Sequence, residues 1–208
     1  MIRFASLLRL CLIGALALVS SGAAQAAHTL GDAGVAYRAD RVLTVGEQTL
    51  PGTLYAMPGR QRHEQLIAGL KQVAIFDFDS GRGYFIVPAL SSYLDFPIGA
   101  ALRELGDPDI VGAAQGKEDV NGVVTIKYRI AHRAVDGTRI EGFVWLSADG
   151  IPMRGQGAVI ETGGKRTPVS WELSNIRRGP QDPTLFSPPK GYYRLPAGAL
   201  PSFLGGTR

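Results

Sequence analysis

Three turn signals in the second half of the chain constrain its fold most tightly. Asp136-Gly137, Asp149-Gly150 and Gly163-Gly164 punctuate apolar segments, and each dipeptide suits the left-handed backbone of a tight hairpin turn. The segments they separate are Val123 to Ile130, Arg139 to Ser147, Ile151 to Ile160 and Arg166 to Arg178. In the first, Val124, Ile126, Tyr128 and Ile130 share one face, and Thr125, Lys127 and Arg129 the other. In the last, Val169, Trp171 and Leu173 alternate with Ser170, Glu172 and Ser174. A period of two between such turns predicts a four-stranded antiparallel meander.

The first half reads the same way. Tyr37 to Val45 and Gln48 to Met57 are joined at Gly46-Glu47, with Pro51 marking an edge position or a bulge. Arg60 to Ile67, Leu70 to Phe78, Gly83 to Val87 and Ser92 to Phe96 follow, each bounded by Gly, Pro, Asp or Ser. One segment departs from this. Pro97 to Gly106 carries Ile98, Ala101, Leu102 and Leu105 at helical spacing between a starting proline and a stopping glycine. Asp107 to Gly122 reads as a loop with one weak helical turn, and the tail from Pro196 as flexible chain. Many strands and no βαβ unit exclude a parallel nucleotide-binding sheet. The pattern predicts a curved antiparallel sheet with a short helix across its concave side.

Residues 1–26 predict where such a sheet works. Arg3 and Arg9 precede an apolar run from Leu10 to Val19, and Ala24-Gln25-Ala26 places small residues for signal-peptidase cleavage before Ala27. The product is expected in the periplasm, away from ATP and NAD(P)H. Cys11, the single cysteine, lies in the leader, so no disulfide, thiolate site or thiol nucleophile is expected. Arg9 and Leu10 before it are not a lipobox. The net charge of +4 owes two of its charges to the leader, which gives no case for nucleic acid. No later stretch approaches the length of a transmembrane helix.

Chemical motifs are sparse. Asp77-Phe78-Asp79-Ser80-Gly81 begins like a calcium loop, but Gly81 and Pro88 stand where acidic ligands are required, so a β-turn is expected. His28, His63 and His132 lack metal-ligand spacing, and the serines near Ser91-Ser92 lack a nucleophile elbow. No metal and no cofactor is expected. Arg60 and Arg62, with His63, Arg38 and Arg41 as neighbours, read either as a polar sheet face or as a basic rim for an anionic partner. Gly83 to Val87 and parts of Phe143 to Leu146 are apolar on both faces, so each outer face must meet a helix, a partner or a greasy ligand.

Several segments carry a family likeness. Ile75-Phe76-Asp77 through Gly83-Tyr84-Phe85-Ile86-Val87-Pro88 with Ser92-Tyr93 resembles the Asp-turn, strand, Pro and Tyr of LolA-like proteins. Asn121-Gly122-Val123 through Lys127-Tyr128-Arg129, Trp145-Leu146 with Gly150-Ile151-Pro152-Met153-Arg154, and Asp182-Pro183 through Gly191-Tyr192 are similar to three further motifs of that group. The resemblance is to the LolA-like and LolB-like lipoprotein-carrier superfamily. It implies a mainly β fold: a curved antiparallel sheet forming an incomplete, half-open β-barrel with a helical lid over an apolar cavity.

Residues 27–195 are then one half-barrel domain between the leader and a tail at 196–208. The cavity candidates are Phe76, Phe78, Phe85, Tyr93, Phe96, Leu102, Trp145, Met153 and Trp171, with Arg60 and Arg62 as the basic rim. Strand alternation requires some of the nine to point outward. The function expected is binding of a lipid, a lipoprotein acyl chain or another apolar ligand, with no catalytic residue. An envelope protein or polymer binder with a filled core is the first alternative. A cofactor-free enzyme, as in the violacein-biosynthesis member of the group, is the second, and would need convergence of Glu64, Asp77, Tyr93 or Arg103.

Overall fold

The turn dipeptides do what their chemistry predicts, and the hairpins they close build one sheet. The computed structural model describes residues 33–67, 69–98, 109–134 and 136–196. Its strands are β1 (Tyr37–Val45), β2 (Gln48–Met57), β3 (Arg60–Ile67), β4 (Leu70–Asp77), β5 (Arg82–Val87), β6 (Ser92–Pro97), β7 (Asp109–Ile110), β8 (Lys117–Val120), β9 (Val123–Arg133), β10 (Arg139–Ser147), β11 (Pro152–Ile160), β12 (Arg166–Arg178) and β13 (Tyr193–Arg194). The order across the sheet is β13-β6-β5-β4-β3-β2-β1-β12-β11-β10-β9-β7, with β8 also on β9. All neighbours are antiparallel except β13 on β6. The result is an open, curved sheet: β1 joins the meander β1–β6 to the meander β9–β12.

Alternation defines the inner face. On β1, Tyr37, Ala39, Arg41, Leu43 and Val45 are all buried, and the residues between them are not. Tyr37 and Ala39 pack with Leu54, Ala56, Trp145, Met153 and Leu173. Leu43 and Val45 pack with Leu50, Ile67 and Val169. Opposite the Arg38/Asp40 step of β1, β12 carries an extra residue. Asn175 takes a positive φ of 51° there, and its side-chain amide donates to Asp40 (2.8 Å). Pro51 sits in an internal strand, but the ladder from β2 to β3 begins only at Gly52, so the missing N–H falls outside it.

Three expectations change. The segment Asp107 to Gly122, read as a loop, contains β7 and β8. The polar strand β8 (KEDV) shows no alternation and is held by an Asn121-Gly122 turn whose two residues both have positive φ (52° and 78°). Thr125 Oγ1 donates to the Glu118 carbonyl at 2.7 Å. That hairpin buries Thr125 completely and leaves Val124 64% exposed, the reverse of what their alternation suggests.

Second, the outer face of β5 is covered by the chain's own later segment. After β12 the chain makes a short 3-10 turn (Pro183–Phe186), and Phe186 inserts against Val73, Ile75 and Ile86. Tyr84, Tyr93, Leu185 and Tyr192 close the edge of this cluster. Continuous apolarity in β5 therefore reflects burial on both faces.

Third, the double apolarity of Val144-Trp145-Leu146 coincides with a register shift between Trp145 and Leu146 in the β10–β11 pair, and all three are buried. Of the expected helix Pro97 to Gly106, only its first two residues are described, and Ile98 packs against Phe76 and Ala74. The rest of that segment, the leader and the tail from residue 197 lie outside the described residues. No helix among the described residues is long and apolar enough to cross a membrane.

Candidate functional site

The inner face of β1–β6 brings an aromatic patch against a buried polar centre. Cross-strand register sets both. Tyr37, Ala56, Gln61 and Phe76 form one row, and Ala39, Leu54, His63, Ala74 and Phe85 the next. Arg41, Gly52, Gln65 and Gln72 form a third. Phe76 is fully buried and organises the patch: Phe78 stacks on it (6.2 Å, 14°), and Phe96 (6.2 Å, 74°) and His63 (5.7 Å, 83°) meet it edge-on. These separations and tilts are the favoured arrangements of aromatic quadrupoles. Phe96 lies directly over Gly83, where any Cβ would collide with its ring.

The polar centre is Arg41, His63, Gln61 and Gln65, each at most 5% exposed. Arg41 Nη1 lies 2.6 Å from His63 Nδ1, and Nη2 donates to Gln65 Oε1 at 2.9 Å. Gly52 stands between Arg41 and Gln65 in their row, where a Cβ would collide with the Glu64 carbonyl. Burial, reinforced by the Arg41 charge, holds His63 well below its usual value near 6.5, so the imidazole is neutral. A guanidinium only donates. His63 Nδ1 is therefore the acceptor, the proton sits on Nε2, and Nε2 donates to Gln61 Oε1 at 3.0 Å. The arrangement can bind, orient and accept hydrogen bonds around one buried cation.

Eight of the nine cavity candidates divide among four places. Phe76, Phe78 and Phe96 come together, with Phe85 in a neighbouring row of the same face. Tyr93 is on the outer face, edge-on to Tyr84 at 6.2 Å. Trp145 and Met153 belong to the cluster around Tyr37, where the Trp145 indole N–H donates to Glu118 (2.8 Å) and Lys127 and Arg154 lie over its ring. Trp171 bridges two other clusters and lies over Gly155. Leu102 lies outside the described residues.

The two rim arginines are also on the outer face, away from Arg41 and His63. Arg60 pairs with Asp77 at 3.4 Å. Arg62 pairs with Glu64 at 2.7 Å and donates to the Leu185 carbonyl at 2.8 Å, which pins the covering segment. Lys71 completes the set with Glu64 at 2.7 Å. Burial pushes the Glu64 carboxyl up, but hydrogen bonds from Lys71 and Arg62 outweigh it and hold the group below its usual range. Asp77 and Asp79 form the expected turn, with Asp77 accepting from the Ser80 amide and Gly81 at a φ of 68°. Among the described residues, no group of three or more His, Cys, Asp or Glu is placed to hold a metal ion.

Arg41 neighbours His63 as expected, but on the inner face rather than beside Arg60 and Arg62, and the signal for that burial was present. Arg41 falls in phase with Tyr37, Ala39, Leu43 and Val45, the apolar positions of β1. A cation at an apolar-phase position points to a buried, hydrogen-bonded guanidinium.

No family model matches this chain, and no curated protein does. Solved structures do. An uncharacterized conserved protein from Thermus thermophilus aligns at 15% identity with a TM-score of 0.51, over 78% of this chain and 90% of that one. A LolA superfamily protein from Nitrosomonas europaea aligns at 6% identity and a TM-score of 0.40, over 74% and 90%. MucB, in its complex with MucA from Pseudomonas aeruginosa, aligns at 15% identity and 0.43, over 75% and 56%. The first of these likenesses is close enough to establish a shared fold.

Proposed function

We propose that this chain is an exported, non-enzymatic binding protein that takes a lipid, an acyl chain or another apolar ligand against the inner face of its half-barrel, in the traffic of envelope lipids or lipoproteins. One observation carries the reading: Phe76, Phe78, Phe85 and Phe96 share a face with the buried Arg41 centre. An apolar chain matches that face, lying on the partly exposed rings of Phe78 and Phe96 above the buried Phe76. Each buried methylene contributes about 0.8 kcal/mol, so an acyl chain supplies affinity beyond its ordering cost. His63 has both ring nitrogens engaged and is neutral, which suits a fixed binding group better than a proton carrier. Leu102, at helical spacing with Ile98 and Leu105 in the sequence, remains a candidate contact for that chain.

Delipidated protein titrated with a fluorescent long-chain fatty acid tests this. Uptake is expected, and Phe78→Ser and Leu102→Asp should each weaken it about tenfold, the loss of one or two methylene contacts. Absence of uptake by the unmodified protein sinks the reading. Amino-terminal sequencing of the exported product should begin at Ala27.

A further inference from the structure

The opposite face of the same sheet carries an open groove of about 370 Å³ that the inner-face reading does not use. Its two walls are the outer faces of β5 and β6 and the segment Pro188 to Tyr192. Backbone bonds hold the walls together: the Tyr193 amide donates to the Ser91 carbonyl and the Leu195 amide to the Tyr93 carbonyl, both at 2.8 Å. Arg194 and Asp95 form a two-pronged ion pair, 2.7 Å at each prong, which neutralises both charges. What remains for a ligand is the set Tyr84, Tyr93, Tyr192, Arg82 and Lys190. Among the described residues, no side chain or carbonyl hydrogen-bonds the three phenol hydroxyls, and no carboxylate forms an ion pair with Arg82 or Lys190.

We propose that this groove binds a short segment of an acidic glycan. Partly exposed tyrosine rings offer flat apolar faces to the C–H groups of a sugar ring, and their hydroxyls exchange hydrogen bonds with its hydroxyls. Arg82 and Lys190 supply the charge that selects a carboxylate-bearing sugar, Arg82 by a two-pronged contact. The volume, near the lower end for small-ligand sites, suits a short segment of a chain. An extended acidic peptide fits less well. Peptides that dock beside a sheet gain affinity from main-chain pairing at a free edge, and the edge strand here, β13, is only two residues long. The site is independent of the inner face, so it stands whether or not a lipid binds there.

Calorimetric titration of the full chain with trigalacturonate, maltotriose and a hexaglutamate peptide tests the proposal. Trigalacturonate should bind, with an affinity that falls as salt rises, and both other probes should bind more weakly. Tyr84→Phe, which keeps the ring, should weaken trigalacturonate about fivefold, and Arg82→Gln about tenfold. The circular dichroism spectrum and urea unfolding midpoint should be unchanged in both variants, which reports that they fold. No binding of trigalacturonate, equal or tighter binding of the peptide, or indifference to both substitutions would overturn the proposal.

Discussion

The two faces of β3 handle polar burial in opposite ways. Its sequence, RQRHEQLI, is polar at six successive positions, yet Gln61, His63, Gln65 and Ile67 are buried on the inner side. There one guanidinium is distributed over an imidazole and an amide. On the outer side, Arg62 and Glu64 are half-buried and satisfied by an ion pair, by Lys71 and by a backbone carbonyl. The inner solution depends on every member, because a lost donor strands a desolvated acceptor. The outer solution is forgiving, since water reaches the ions and solvates whatever is left.

Removing the cation from each face breaks the comparison if it is wrong. Arg41→Ala should cost about 3–5 kcal/mol in urea unfolding, through an unfilled space and two stranded acceptors. Arg62→Ala should cost about 1–2 kcal/mol. Equal losses would show that the inner network is no more cooperative than the outer pair.

A smaller effect sharpens the point by pH. The folded His63 titrates well below 6.5, so the unfolded chain binds the extra proton in the window between the two values. Stability is full above about pH 6.5 and falls as the pH drops through that window, by up to about 1.4 kcal/mol per pH unit. His63→Gln should flatten this segment of the curve, whereas Glu64→Gln should leave it in place.

The smallest effect concerns the outer cover. Asp95→Asn removes one half of the clamp on Arg194. Amide exchange at Tyr193 and Leu195 should quicken while the unfolding midpoint holds. A shifted midpoint would mean that β13 folds as one unit with the inner face.

Much of this architecture was legible because it is local. Five strands, β1, β2, β3, β10 and β12, begin and end where their turns and periodicity place them. Of the strands that escaped notice, β7 and β13 are two residues long and pair with strands distant in sequence, whereas β8 is polar without alternation although the Asn121-Gly122 turn to β9 is local. The candidate site was legible only in part. Apolarity singled out Phe76, Phe78 and Phe96, but it also drew in Tyr93, Trp145 and Trp171, since burial selects the same residue types in every cluster. Arg41 was hidden by its own charge, although its phase in β1 was in plain view.

By itself, then, the sequence determined the hairpins, their turns and the mainly antiparallel β character, because dihedral preference and a period of two act between near neighbours. Only the tertiary structure decided which face of β3 would bury its polar groups and what would cover the outer side of β5. Those outcomes rest on contacts between distant residues, such as Arg62 with the carbonyl of Leu185, 123 positions away. Curvature of the sheet makes one face an interior, and the returning segment Pro183 to Tyr192 makes part of the other face a second core beside an open groove.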